Sequence, residues 1–171
     1  GVAPDGRERA EADPEYEGHI VNTSSVNGFW ASLGPNIPHT AYSAAKFAVK
    51  GFTEALITDL RQNAPHIKAS VVMPGHIGTS IVVNSGKFFG REPKEMTSEQ
   101  LAGVRDRLGK RGLDVSTASD DDLSVGMQMQ AEMFRDAAPT TAAQAATIIL
   151  DGVRAQQWRI LVGDDAVGLD E

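Results

Sequence analysis

A β-branched segment, a long amphipathic helix and a second β-branched segment, in that order, constrain the fold of this chain more than any other feature. The stretch from His19 to Ser24 predicts a short buried strand. From Ala41 to Asn63 apolar side chains recur every three or four residues, which predicts a helix that ends before Pro65. The stretch from Lys68 to Met73 predicts a second strand, which Pro74 closes. Strands separated by a long helix favour parallel pairing.

The remainder of the chain continues this alternation. Helices are predicted from Ser98 to Leu108, from about Asp121 to Phe134, and again after Thr140 or Thr141, either of which can cap the helix start. A polar loop is expected around residues 87–94, and Arg159 to Gly163 predicts a third strand. The fold class is therefore α/β, a parallel sheet with helices on its faces, and three strands indicate only part of a larger sheet.

Composition excludes several classes of function. The net charge of −7 argues against nucleic acid as the main partner, and the absence of cysteine excludes disulfides, thiolate zinc sites and a cysteine nucleophile. The four histidines lack metal-ligand spacing, so no metal site is predicted. No apolar run approaches the roughly 18 residues that a membrane span needs, and no leader opens the chain, so we expect no membrane partner and a cytoplasmic protein. Residues 1–18, dense in charge, predict an irregular or disordered tail.

Tyr42 and Lys46 are the first candidates for chemistry. Four residues apart on the predicted helix, they share one face about a turn from each other. A Tyr-x-x-x-Lys pair alone is weak evidence, because exposed helix faces carry such pairs by chance. Its surroundings make it informative.

Three segments in order carry a resemblance. They are Ile20-Val21-Asn22-Thr23-Ser24-Ser25, Tyr42-Ser43-Ala44-Ala45-Lys46 and Pro74-Gly75-His76-Ile77-Gly78-Thr79. Together they resemble the short-chain dehydrogenase/reductase family, strongly from Gly18 to Ser80 and more loosely through Gly163. The resemblance implies a Rossmann-type, three-layer, doubly wound fold, of which this chain carries the second, catalytic half over residues 19–171.

By this resemblance, Tyr42 is the general acid/base in hydride transfer between a nicotinamide and an alcohol or carbonyl substrate. A free phenol has a pKa of about 10, and the ammonium of Lys46 would lower it and also hydrogen-bond the nicotinamide ribose. A serine hydroxyl would hold the substrate oxygen. The family pattern selects Ser25 over Ser24, whose hydroxyl would then cap the strand end. The extra loop length around residues 33–37 would reshape the substrate side.

The turn after the second strand is the expected nicotinamide contact. The resemblance assigns this role to Pro74 and Gly75, to the backbone near Ile77 and to the hydroxyl of Thr79, with Ser80 as a weaker alternative. The cofactor is NAD or NADP. The glycine-rich turn that would hold the pyrophosphate, and the residue that would choose between the two nucleotides, are absent from this sequence.

Residues 81–139 are expected to form an insertion that covers the substrate. Met127, Met129 and Met133 could line its pocket, and plain core packing explains them equally well. The first functional hypothesis is thus an NAD(P)-dependent oxidoreductase acting on a small molecule. The second is a truncated, non-catalytic fragment that acts at most as an interaction module, and pairing into a homo-oligomer through the Tyr42-bearing helix fits either.

Overall fold

The computed structural model describes residues 6–13, 15–33 and 39–170. The chain divides into two compact units, which are Gly1–His76 with Ala143–Glu171, and Ile77–Ala142. We call them the sheet unit and the helical unit. Among the described residues no helix is both long and apolar enough to cross a bilayer.

A parallel three-stranded sheet organises the sheet unit. Its strands are β1 (Gly18–Thr23), β2 (Ile67–Pro74) and β5 (Arg159–Val162), in the order β1-β2-β5. Thr23 lies opposite Val72, and Pro74 lies opposite Val162, so the carboxyl ends of all three strands meet at one edge of the sheet. The predicted α/β class and its parallel sheet are confirmed.

Strand β2 is the buried centre of this sheet. Its residues from Ala69 to Met73 are buried, with Val71 and Met73 fully so, as a parallel strand with a neighbour on each side requires. Strand β1 is an edge, and its Ile20 and Val21 keep 37% and 41% of their surface exposed. β-Branched residues are therefore buried in β2, which has a strand on each side, and partly exposed in β1, which has a strand on one side.

Two long helices connect the strands. Helix α2 (Thr40–Asn63) links β1 to β2, and helix α6 (Ala142–Arg154) leads into β5. At Gly152 the backbone of α6 approaches β5 so closely that an added Cβ would lie 2.8 Å from the Ile160 side chain. The short helices α1 (Gly6–Ala12) and α7 (Asp164–Gly168) also belong to this unit.

Two of the helices in the helical unit begin with capping boxes. Strands β3 (Ile77–Gly78) and β4 (Thr140–Thr141) pair with each other in parallel. Between them lie helices α3 (Ile81–Phe88), α4 (Ser98–Lys110) and α5 (Asp120–Asp136). Thr97 and Ser119 each begin a helix with a capping box, in which the cap side chain and the side chain three residues later exchange hydrogen bonds with backbone amides. The helices predicted around residues 98–108 and 121–134 are confirmed.

Two expectations change, and a third lies outside the described residues. Residues 6–12 of the expected irregular tail form helix α1, and β1 begins within that tail at Gly18. After Gly6, helix α1 consists of good helix formers without an apolar stripe, so periodicity cannot reveal it. Helix α3 reaches Phe88, into the polar loop expected from residue 87, although β-branched residues open it. The extra loop length expected around residues 33–37 falls largely on residues 34–38, outside the described residues.

Candidate active site

The adjacent residues Ser24 and Ser25, at the end of β1, make different contacts. Ser24, nearly fully buried, continues the pairing of β1 by donating its amide to the Val72 carbonyl at 2.8 Å. Its hydroxyl donates to the backbone carbonyl of Lys46 at 2.8 Å and so ties the strand to helix α2. A Cβ on Gly28 would overlap this hydroxyl and lie 3.0 Å from the same carbonyl, so only glycine fits there. The Ser24 side chain is thus used in the fold.

The Ser25 hydroxyl is arranged differently. Ser25 has extended backbone and begins a 3₁₀ turn, Val26–Gly28, whose Asn27 amide donates to the Ser25 Oγ at 3.3 Å. Its own hydroxyl proton has no protein acceptor within the described part of the chain. Ser25 is 8% exposed. The hydroxyl therefore retains a donor that an oxygen entering this strand edge can accept.

Helix α2 presents Tyr42 and Lys46 at the same strand edge. The Lys46 ammonium donates to the carbonyl of Thr23, the last residue of β1, at 3.2 Å. It also lies 5.5 Å from the centroid of the Tyr42 ring. An ammonium has three N–H donors, so two remain for a ligand. Tyr42 is 47% exposed, which leaves its phenol open to a substrate.

The first turn of α2 is held by the loop before it. Ser43 donates its hydroxyl to the Ala31 carbonyl at 2.6 Å and its amide to the His39 carbonyl at 2.7 Å. The His39 ring packs edge-on against Tyr42, with centroids 5.8 Å apart. The buried Asn27 amide nitrogen lies 3.4 Å from the His39 Nδ1 and also donates to the Trp30 carbonyl at 3.3 Å. These contacts fix where the Tyr42 ring can point.

Sequence reasoning missed Asn27 and His39 as neighbours of Tyr42. His39 precedes Tyr42 by three residues, a spacing that places two side chains on one helical face, and this spacing could have revealed it. Asn27 carried no comparable pattern, because its contact with His39 depends on how a loop returns to the helix.

The turn after β2 contacts the carboxylate of Asp165, which sequence reasoning also missed. Gly75 donates its amide to the Val162 carbonyl at 3.0 Å, and the His76 amide donates to Asp165 Oδ2 at 2.6 Å. A Cβ on Gly75 would overlap the Asp165 carboxyl group, so glycine is required. Asp165 Oδ1 is buried and has no hydrogen-bond partner among the described residues, which leaves an acceptor available beside this turn. The run Asp164-Asp165, which follows Gly163 just after the end of β5, was the sequence feature that could have indicated this carboxylate.

The structure brings the expected site residues together in part. Ser25, Lys46 and Pro74 all stand at or beside the carboxyl ends of neighbouring parallel strands, where open α/β sheets bind ligands. Ile77 and Thr79 belong to the helical unit, where Ile77 pairs with Thr140 and Thr79 donates its amide to the Ile77 carbonyl at 2.8 Å. Among the described residues no group of His, Asp or Glu side chains could hold a metal ion.

Comparison with known proteins adds to this geometry. The family model for short chain dehydrogenases matches residues 11–88. A protein of Mycobacterium tuberculosis, SadH, is 45% identical over 69 residues, which is 40% of this chain and 24% of that protein. Dehydrogenase/reductase SDR family member 11 of Gallus gallus is 41% identical over 63 residues, 37% of this chain and 24% of that protein. The chain thus spans about a quarter of the length of these relatives.

A solved structure extends the similarity to the fold. A short chain dehydrogenase/reductase from Burkholderia phymatum, in complex with NAD, superimposes with a TM-score of 0.55 over 91% of this chain and 46% of that one. The sequences are 21% identical, so this match bears on the fold alone. It identifies the architecture as part of a Rossmann-type sheet.

Proposed function

We propose that this chain is the catalytic portion of a short-chain dehydrogenase/reductase, an oxidoreductase that moves a hydride between a nicotinamide nucleotide and a small alcohol or carbonyl compound, because the model of that family matches residues 11–88. The observation that carries this proposal is the placement of the Lys46 ammonium between the Thr23 carbonyl and the Tyr42 ring. That arrangement holds a cation beside a half-exposed phenol at the ligand-binding edge of a parallel sheet.

Tyr42, Lys46 and Ser25 have different roles at the substrate oxygen. Tyr42 donates its proton to a carbonyl oxygen being reduced, or accepts the proton of an alcohol being oxidised. Lys46 stabilises the negative charge that remains on the phenolate, and its anchor on Thr23 keeps it in place. Ser25 donates its free hydroxyl proton to the same oxygen, which orients the substrate. His39 and Asn27 position the Tyr42 ring.

The residues fit a nicotinamide nucleotide by their donors and acceptors. Lys46 retains two N–H donors for ribose hydroxyls, and the turn at Pro74 and Gly75 has a spare buried acceptor beside it on Asp165. The nucleotide supplies the hydride chemistry when bound. We assign the segment from Pro74 through Ile77 to Thr79 as the contact for the nicotinamide; NAD and NADP remain alternatives. The lid role of residues 81–139 and the cytoplasmic location stay predictions.

Nucleotide binding tests this proposal directly. NADH and NADPH are titrated against the chain while the fluorescence of Trp30 and Trp158 is recorded. Trp30 reports on the site because its carbonyl accepts from Asn27. We expect saturable quenching by at least one nucleotide, weakened about tenfold by Lys46→Gln.

Lys50→Gln is the matched control. Lys50 lies one turn further along α2 and pairs with Glu54 at 2.7 Å, so its loss removes the same charge without touching the site. Absence of saturable binding, or equal weakening by Lys50→Gln, contradicts the assigned nicotinamide site.

A non-catalytic role is the second candidate. Phe47 and Phe52 on α2 are 43% and 62% exposed, and the outer edge of β1 has no strand paired to it among the described residues. Exposed aromatics on the Tyr42-bearing helix favour association with another copy of the chain. Light scattering after gel filtration, with Phe52→Ser as the disrupting variant, tests this role. A chain that associates through α2 and binds neither nucleotide supports it over the enzyme.

A further inference from the structure

We propose that a cavity in the helical unit binds an amphipathic anion, a carboxylate carried on an apolar chain of medium length. The cavity measures about 560 Å³. Small-molecule sites in proteins occupy about 300–1,000 Å³, so its size suits such a ligand. All its lining residues fall between Ser80 and Arg135, so the site is complete within the helical unit. This proposal goes beyond the hydride transfer proposed above and does not depend on it.

The first argument is the apolar part of the lining. Helix α3 contributes Val82 and Val83, and α5 contributes Met127 and the buried Ala131. Phe89, directly after α3, also lines the cavity while 66% of its surface is exposed. An aliphatic chain against these side chains would remove their apolar surface from water, which is favourable in proportion to the area covered.

The second argument is an excess of positive charge. The chain carries a net charge of −7, yet five basic and two acidic side chains line this cavity. Both acids have partners, since Glu92 lies 3.6 Å from Lys87 and Glu132 accepts from Gln128 at 3.0 Å. Among the described residues no salt bridge engages three of the basic side chains, namely Arg91, Lys94 and Arg107. The cavity therefore combines an apolar wall with unneutralised cations.

The third argument is that the two arginines are attached to ordered backbone. The Arg91 amide donates to the Gly86 carbonyl at 2.7 Å, which closes the chain back onto the end of α3. Arg107 belongs to α4, and its guanidinium lies along the helix, 3.6 Å from where a Cβ on Gly103 would stand. A guanidinium binds a carboxylate through two parallel hydrogen bonds, which an alcohol cannot reproduce. The lining thus selects an anionic head with an apolar tail.

Calorimetric titration of octanoate into the whole chain tests this proposal without nucleotide or turnover. We expect saturable binding that weakens as salt rises, because the head group is held by charge. Arg91→Gln and Arg107→Gln should each weaken binding about tenfold. Val82→Asp adds a carboxylate to the lining at a half-exposed position and should weaken it further.

Matched controls separate this site from general attraction. Arg111→Gln removes the same charge at the end of α4, and Ile81→Asp adds one at the start of α3, both outside the lining. Both controls should leave octanoate binding unchanged, and 1-octanol and acetate should bind at least about tenfold more weakly than octanoate. Far-UV circular dichroism confirms the fold of each variant.

Three outcomes overturn the proposal. They are the absence of saturable octanoate binding, equal binding of 1-octanol, and equal weakening by Arg111→Gln. Because no nucleotide is present, none of these outcomes bears on the proposed oxidoreductase, whose own test is the nucleotide titration.

Discussion

The two units of this chain differ in what their helices pack against. In the sheet unit, α2 and α6 pack on a parallel sheet whose central strand is buried from Ala69 to Met73. In the helical unit, α4 and α5 begin with exposed capping boxes, and large apolar side chains stay exposed, with Phe88 at 84% and Met133 at 65%. A sheet provides a wide apolar face to cover, whereas three helices without such a sheet cover one another incompletely. The first arrangement places reactive groups precisely, and the second leaves apolar surface for a ligand.

The largest expected effect is on turnover and belongs to the sheet unit. Tyr42→Phe keeps the ring against His39 and Lys46 but removes the hydroxyl, so turnover of the protein should fall about a thousandfold while nucleotide affinity is unchanged. Steady-state kinetics and the fluorescence titration measure the two quantities. Tyr16→Phe, which alters a tyrosine packed on His66, should change neither. Retained turnover in Tyr42→Phe would refute the role of this phenol.

The next effect separates the cores of the two units. Met73→Ala removes a fully buried side chain from β2 and should lower the free energy of unfolding by about 2–5 kcal/mol. Leu123→Ala, in the core of α5, should have a comparable local cost. Hydrogen exchange should show faster exchange across β1, β2 and β5 for Met73→Ala, and only within residues 77–142 for Leu123→Ala. Faster exchange of β2 in Leu123→Ala would show that the units do not open separately.

A pair of glycines tests the close packing beside the site. Gly28→Ala forces a Cβ against the Ser24 hydroxyl and should cost about 1–3 kcal/mol. Gly51→Ala, in the middle of α2 with open space around the added Cβ, should instead stabilise the protein by about 1 kcal/mol. Urea unfolding measures both. Destabilisation of equal size in the two variants would contradict the packing described for Gly28.

The capping boxes should carry a smaller effect, confined to the helical unit. Ser119→Ala removes the side chain that accepts from the Asp122 amide at 3.1 Å, so the start of α5 should lose about 1 kcal/mol. Hydrogen exchange of the first turn of α5 reports this loss. Ser116→Ala, just outside the helix, provides the comparison. Unchanged protection of that turn in Ser119→Ala would mean that packing alone fixes α5.

The smallest expected effect is a pH dependence of the sheet unit. Burial lowers the pKa of His19, against a smaller raising effect of Glu17, and the ring lies 2.7 Å from the Ser70 hydroxyl. A folded-state pKa below the unfolded value means that the unfolded chain binds the proton more readily. Stability should therefore be complete above about pH 6.5 and fall as the pH drops below it.

Urea unfolding at pH about 7.5 and about 5.5 measures this dependence. His19→Gln should reduce the difference in the free energy of unfolding between the two conditions. An identical difference in wild type and His19→Gln would assign the dependence to other groups.

Much of the sheet unit was predictable because its residues obey local rules. Runs of β-branched residues predict strands β1, β2 and β5, and an apolar stripe predicts helix α2. The Tyr42–Lys46 spacing places two side chains on one helical face. Helix α1 was missed because it has no apolar stripe. Helix α3 was missed because β-branched residues open it, and α5 packs against it in spite of that weak propensity.

The sequence by itself determined the class of fold, the order of its elements and the candidate chemistry at Ser25, Tyr42 and Lys46. Only the tertiary structure decided which serine ties strand to helix and which groups surround Tyr42. It also decided that Asp165 reaches the Gly75 turn. The physical reason is the separation along the chain between the residues that interact. Periodicity and spacing act within one element, whereas a carboxylate 89 residues from its amide partner meets that partner only when two strand ends are brought to the same edge of a sheet.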